Sequence, residues 1–232
     1  MNPLTTIHRR GALAIALACM AMAMAPLAMA SGNAAQADTG KAVRYLVYVP
    51  SRAAAVDHAA NVRAFEDHGF SVLTMAPAGE SDHDYVLRIR DEVRGLIARG
   101  VAPEAITVIG SGVGSPLTAM VSSATGNRRV NYVLLGGCDA SLARAPRFHL
   151  SGRVLGLRDA DDGASPSCRP LWRNAPKLER QHDMVVHSGH GAALFDAPRD
   201  AWIRPVEQWG RSGQVDLGAM KVAELHRWNE SL

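Results

Sequence analysis

The sequence predicts an α/β protein, a three-layer sandwich in which a mostly parallel sheet of about six strands carries helices on both faces. Three observations predict it. Six short runs are continuously apolar rather than alternating, as strands buried on both sides of a parallel sheet must be. Stretches with helical apolar spacing lie between the early runs, which is the order of repeated strand and helix units. Gly and Pro punctuate the junctions between them.

The elements follow in order. Val43 to Val49 (VRYLVYV) is a β-branched and aromatic strand closed by Pro50-Ser51. Asp57 to His68 has apolar residues at helical spacing before a Gly69 stop. Phe70 to Met75 is the second strand, and Tyr85 to Ala98 is an amphipathic helix with Val86, Ile89, Val93, Leu96 and Ile97 on one stripe. Ile106 to Gly110 is the third strand. The helix after it runs to about Ser123, with Pro116 in the first turn, where a missing N–H costs nothing. Val130 to Leu135, Arg153 to Leu157 and Met184 to His187 complete the strands. A helix near Trp202 to Trp209 and a terminal helix from Leu217 to Trp228 close the chain, and Trp202 and Trp209 are read as core.

With 232 residues and 47% hydrophobic content, the chain fits one domain with a full core. Residues 1 to 30 read as a secretory signal: His8, Arg9 and Arg10 form the charged region, an Ala/Leu/Met stretch follows, and Ala28-Met29-Ala30 precedes the cut after Ala30. The uncharged run reaches spanning length, but it is mostly alanine and too weakly apolar to favour a membrane anchor. Arg9-Arg10 also permits a twin-arginine route. Residues 31 to 42 are a polar, aperiodic lead-in, read as disordered, so the folded domain spans 43 to 232. Removing Arg9 and Arg10 lowers the formal charge from +3 to about +1, which makes no case for nucleic acid. The mature chain, secreted or periplasmic, has no remaining membrane segment. Cys19 leaves with the signal, and Cys138 and Cys168 remain in an oxidising compartment, which reads as one disulfide.

The chemistry turns on Ile106 to Met120, where a β-branched run ends in glycines and passes into a helix. Gly110-x-Gly112-x-x-Ser115 imitates a dinucleotide fingerprint, but two strand and helix units precede it and the next strand carries no acid, so no cofactor is implied. Gly110 and Gly114 instead frame a nucleophile elbow, a strand-to-helix turn that needs small residues two before and two after its centre. Its centre is Gly112, not serine. An elbow expects an acid after a later strand and a histidine after the last one. The chain supplies Asp159, Asp161 and Asp162, and then His190 between Gly189 and Gly191.

These residues resemble the α/β-hydrolase superfamily, and within it small secreted bacterial proteins with an elbow of the form VVGASKG. The matching stretches are Val108 to Gly114 (VIGSGVG), Leu134 to Cys138 (LLGGC), Gly152 to Leu155 (GRVL) with Asp162 and Cys168, and Gly189 to Gly191 (GHG). The resemblance implies an α/β-hydrolase-like sandwich with Asp162 as the acid, Asp159 as its nearby competitor, His190 as the base and Gly112 at the nucleophile position. Ser111 is the alternative nucleophile, although a frame centred on it would put Ile109 and Val113 where small residues belong. Pro50-Ser51 stands where such folds place a His-Gly pair, and the backbone amides of Arg52 and Val113 remain to form an oxyanion hole. The expected ligand is a small ester or carbonyl-type molecule, with a partner protein left open. His182, His187 and His190 do not share a helical face, so no metal site is expected. Two functions follow: a non-catalytic or strongly weakened hydrolase relative, or an esterase using Ser111 or a water activated by His190 and Asp162.

Overall fold

The computed structural model describes residues 43–173, 175–216 and 218. The leader, the lead-in and, but for Gly218, the terminal helix lie outside the described residues. Six strands form one sheet: β1 (Arg44–Val49), β2 (Phe70–Thr74), β3 (Ile106–Ser111), β4 (Asn131–Leu135), β5 (Ser151–Asp159) and β6 (Lys177–Val186). Their order is β2-β1-β3-β4-β5-β6, and every neighbouring pair is parallel. Five helices accompany them: α1 (His58–Asp67), α2 (Asp82–Ala98), α3 (Gly114–Thr125), α4 (Arg169–Trp172) and α5 (Asp200–Ser212). Among the described residues no helix is long and apolar enough to cross a membrane.

The continuous apolar runs are explained by two cores, one on each side of the sheet. Val47, Val49, Val108, Tyr132, Leu134 and Val154 pack with Ile89, Val93 and Leu96 of α2 and Leu117 and Val121 of α3. The intervening residues Leu46, Tyr48, Ile109, Val133, Leu135, Leu155 and Leu157 face Phe65 of α1 and Trp202, Val206 and Trp209 of α5. Successive side chains alternate between two buried layers, so no polar alternation is required. Trp202 and Trp209 are each only 1% exposed, in the packing role the sequence assigns them.

Element ends differ from the sequence reading for local reasons. Helix α2 begins three residues earlier than expected because the Ser81 side chain accepts from the Asp84 amide and Asp82 and Asp84 sit in the first turn. Strand β6 begins seven residues earlier, at Lys177. Its first half is polar and largely exposed, which hides it from a hydrophobic reading, and it pairs on one side only, with β5. Helix α5 extends two residues before Trp202 and three beyond Trp209, to a left-handed Gly213 cap. The short α4 follows the disulfide between Cys138 and Cys168, whose Cα atoms lie 4.9 Å apart. Gly156 beneath it admits no side chain, since a Cβ there would lie 2.5 Å from Cys168 Sγ.

Candidate active site

The sheet changes winding direction between β1 and β3: β2 lies to one side of β1, and β3 to β6 extend from the other. In open parallel sheets the crevice outside the carboxyl ends of the strands at such a switch point is the place for a ligand. The loop after β1 carries Pro50, Ser51 and Arg52, and the turn after β3 carries Gly112 and Val113.

That turn has the geometry of an elbow. Strand β3 ends at Ser111, α3 starts at Gly114, and Gly112 between them has φ +54°. Its flanks are closed to side chains. A Cβ on Gly110 would lie 2.3 Å from the Gly114 carbonyl oxygen, and one on Gly114 would lie 2.8 Å from the Val49 carbonyl oxygen. The centre is open by comparison, because a Cβ on Gly112 meets only Ser51, at 3.2 Å from Oγ and 4.0 Å from Cβ. Ser111 lies inside β3 at 5% exposure, paired across to Leu135. Val113 is half exposed, and among the described residues neither its amide nor that of Arg52 has a hydrogen-bond acceptor. The Arg52 side chain is turned away to an ion pair with Asp82 at 2.8 Å.

The loop after β4 runs beside the turn: a Cβ on Gly136 would lie 3.8 Å from the Gly112 amide nitrogen, and Ser115 Oγ donates to the Gly137 carbonyl at 2.8 Å. The same loop is fastened to the acidic loop after β5. The Cys138 amide donates to the Pro166 carbonyl at 3.1 Å, and the Ser165 hydroxyl lies 2.7 Å from the Gly136 carbonyl and 2.5 Å from Asp162 Oδ2. Asp162 also accepts from the Ala164 amide at 3.2 Å.

Asp159, the last residue of β5, is fully buried and takes a different part from Asp162. It accepts from the Ser188 hydroxyl and from the Asp161 amide at 2.9 Å. Burial alone would raise its carboxyl, but the Ser188 hydroxyl and the amides of Asp161, Ser188 and His190 outweigh that and hold it below the ordinary aspartate range. Asp159 therefore grips the backbone of the loop that carries His190. A Cβ on Gly191 would lie 3.4 Å from the Asp161 carbonyl oxygen, which places that loop against the acidic one. The His190 ring is exposed, and among the described residues it forms no hydrogen bond or ion pair with either aspartate. His182 lies half-buried in β6 and His187 is exposed just after it.

No family model matches the chain, and no curated protein matches it. Solved structures do. SOBER1 from Arabidopsis thaliana superposes with a TM-score of 0.51 over 74% of this chain and 99% of that one, at 13% identity. A predicted CIB-like hydrolase from Thermoplasma acidophilum gives 0.50 over 75% and 88%, also at 13% identity. The fold is that of the α/β-hydrolases. In this fold the turn after β3 carries Gly112, the loop after β5 carries Asp161 and Asp162, and the loop after β6 carries His190.

Two residues escape a reading of the sequence alone. Ser51 stands beside Gly112, a closeness between loops of two different strands that spacing cannot encode. Ser188 tethers Asp159 to the histidine loop; its only signal is its place two residues before His190.

Proposed function

We propose that this chain binds a small ester or carbonyl-type ligand in the crevice at the carboxyl edge of its sheet, with hydrolysis by the serine route strongly weakened or absent. The observation that carries the reading is the elbow itself. Its backbone turn, its closed flanks at Gly110 and Gly114 and a Val113 amide with no acceptor among the described residues are in place, while its centre, Gly112, bears no hydroxyl. The Arg52 and Val113 amides offer N–H groups to a carbonyl oxygen and stabilise charge developing there. Loss of the serine from a triad removes on the order of 10⁶ in turnover, leaving the smaller contribution of binding and the oxyanion hole. Export under the N-terminal signal and the small secreted bacterial subgroup with VVGASKG-type elbows belong to the same proposal.

The test pairs two measurements. Turnover of p-nitrophenyl acetate and butyrate is expected to lie on the order of 10⁶ below ordinary serine-esterase rates. A non-hydrolysable ketone of the same shape is expected to perturb the amide resonances of Arg52, Gly112 and Val113. Turnover at ordinary esterase rates would overturn the weakened-site reading, and a ketone that leaves those resonances unmoved would overturn the crevice as the binding site.

A further inference from the structure

The hydroxyl that Gly112 lacks has a substitute a short distance away. Ser51 leaves β1 directly beside β3, on the other lip of the switch-point crevice, and its Oγ stands 3.2 Å from the point where a side chain at Gly112 would begin. Ser51 Oγ accepts from the Ala53 amide at 3.2 Å, which orients the oxygen, and among the described residues its O–H proton has no acceptor. The hydroxyl is partly exposed, unlike the buried Ser111. The residue following it, Arg52, and the residue following Gly112, Val113, carry amides with no acceptor among the described residues at the same edge of the sheet.

We propose that Ser51 is the nucleophilic hydroxyl of this crevice, reaching an acyl group from the β1 loop in place of the bare elbow. The inference rests on the crevice being the ligand site, as proposed above, and adds the atom that reacts. With an activated ester, the Ser51 Oγ–carbon bond forms as the ester carbon–oxygen bond breaks. The leaving oxygen departs as the alcohol or phenol, taking up the hydroxyl proton through water. Water then cleaves the acyl-serine to return the carboxylic acid and the free hydroxyl. Among the described residues no charged or imidazole side chain hydrogen-bonds to Ser51, so the reaction is slow and acylation, rather than turnover, is its signature.

The experiment is labelling of the whole chain with an alkyl fluorophosphonate, in which the Oγ–phosphorus bond forms as fluoride leaves and the proton passes to solvent. The adduct is then located by peptide mass spectrometry. The expected result is a slow adduct on Ser51, abolished in Ser51→Ala, while the ketone still shifts the Arg52, Gly112 and Val113 resonances in that variant. An adduct on Ser111 or any other residue, or none after saturating exposure, would overturn the proposal. Because wild-type mapping needs no substitution, a poorly folded variant does not blunt the test. Ketone binding without labelling would remove Ser51 as nucleophile and leave the crevice reading standing; neither binding nor labelling would remove both.

Discussion

Gly112→Ser restores a side chain at the centre of the elbow at a definite cost in stability. Two costs are visible. At φ +54° a side-chain-bearing residue is in the left-handed region, a conformation that costs about 1–3 kcal/mol. The new Cβ would also stand 3.2 Å from Ser51 Oγ, so that hydroxyl must yield by a few tenths of an ångström. Taking about 2 kcal/mol for the sum, a chain of this size loses about 4–8 °C in Tm. The compensating gain is chemical: a hydroxyl at the centre of the turn, next to the Val113 amide. Thermal melts by circular dichroism, together with fluorophosphonate adduct mapping, read both sides. The expected outcome is a folded, less stable variant labelled at residue 112, with Ser51→Ala in the same chain recovering part of the lost stability. An unchanged Tm would refute the strain argument. A folded variant with no adduct at residue 112 would refute the alignment of the turn with the crevice.

Three further outcomes are expected. Gly110→Ala places a Cβ 2.3 Å from a backbone carbonyl that cannot rotate away, so it costs about 3 kcal/mol or more, exceeding Gly112→Ser in the same melt. Removing the disulfide by Cys138→Ala with Cys168→Ala costs roughly 2–4 kcal/mol in the unfolding free energy read from denaturant curves, and reductant alone should lower wild type by a comparable amount without affecting the double variant. The depressed Asp159 carboxyl contributes stability that is present above the unfolded-state value of about 3.9 and lost as pH falls through the lower folded value. Asp159→Asn should flatten the acid limb of a Tm-against-pH curve, and an unaltered limb would show that Asp159 is not the group responsible.

Legibility in the sequence followed burial. Strands β1, β3 and β4 are apolar on both faces and announce themselves, whereas β6 conceals its first seven residues because an edge strand can keep polar side chains in water. The frame of Gly110 and Gly114 was readable because the turn leaves no room for a Cβ at either, a constraint that acts on residue type at fixed spacing. The pairing of Cys138 with Cys168 was readable by count. The division of labour between Asp159 and Asp162 was not, since three aspartates in four positions look alike until burial separates them: Asp159 goes under the Ser188 loop, and Asp162 turns to Ser165. In the sequence Ser51 is only a departure at the oxyanion position, because the distance from its hydroxyl to Gly112 depends on the register of β1 against β3 and on a loop conformation that no periodicity records.

The Cys138–Cys168 bridge has a consequence for how the crevice accommodates a guest. It joins the loop after β4 to the segment after β5, and the hydrogen bonds from Cys138 to Pro166 and from Ser165 to Gly136 reinforce the same seam. The crevice thus has one stapled jaw and one unstapled jaw. If the crevice binds a ligand as proposed, adjustment to its size falls on the β1 loop, where Ser51 and Arg52 are held by a short turn and a surface ion pair, while the disulfide keeps the other side fixed.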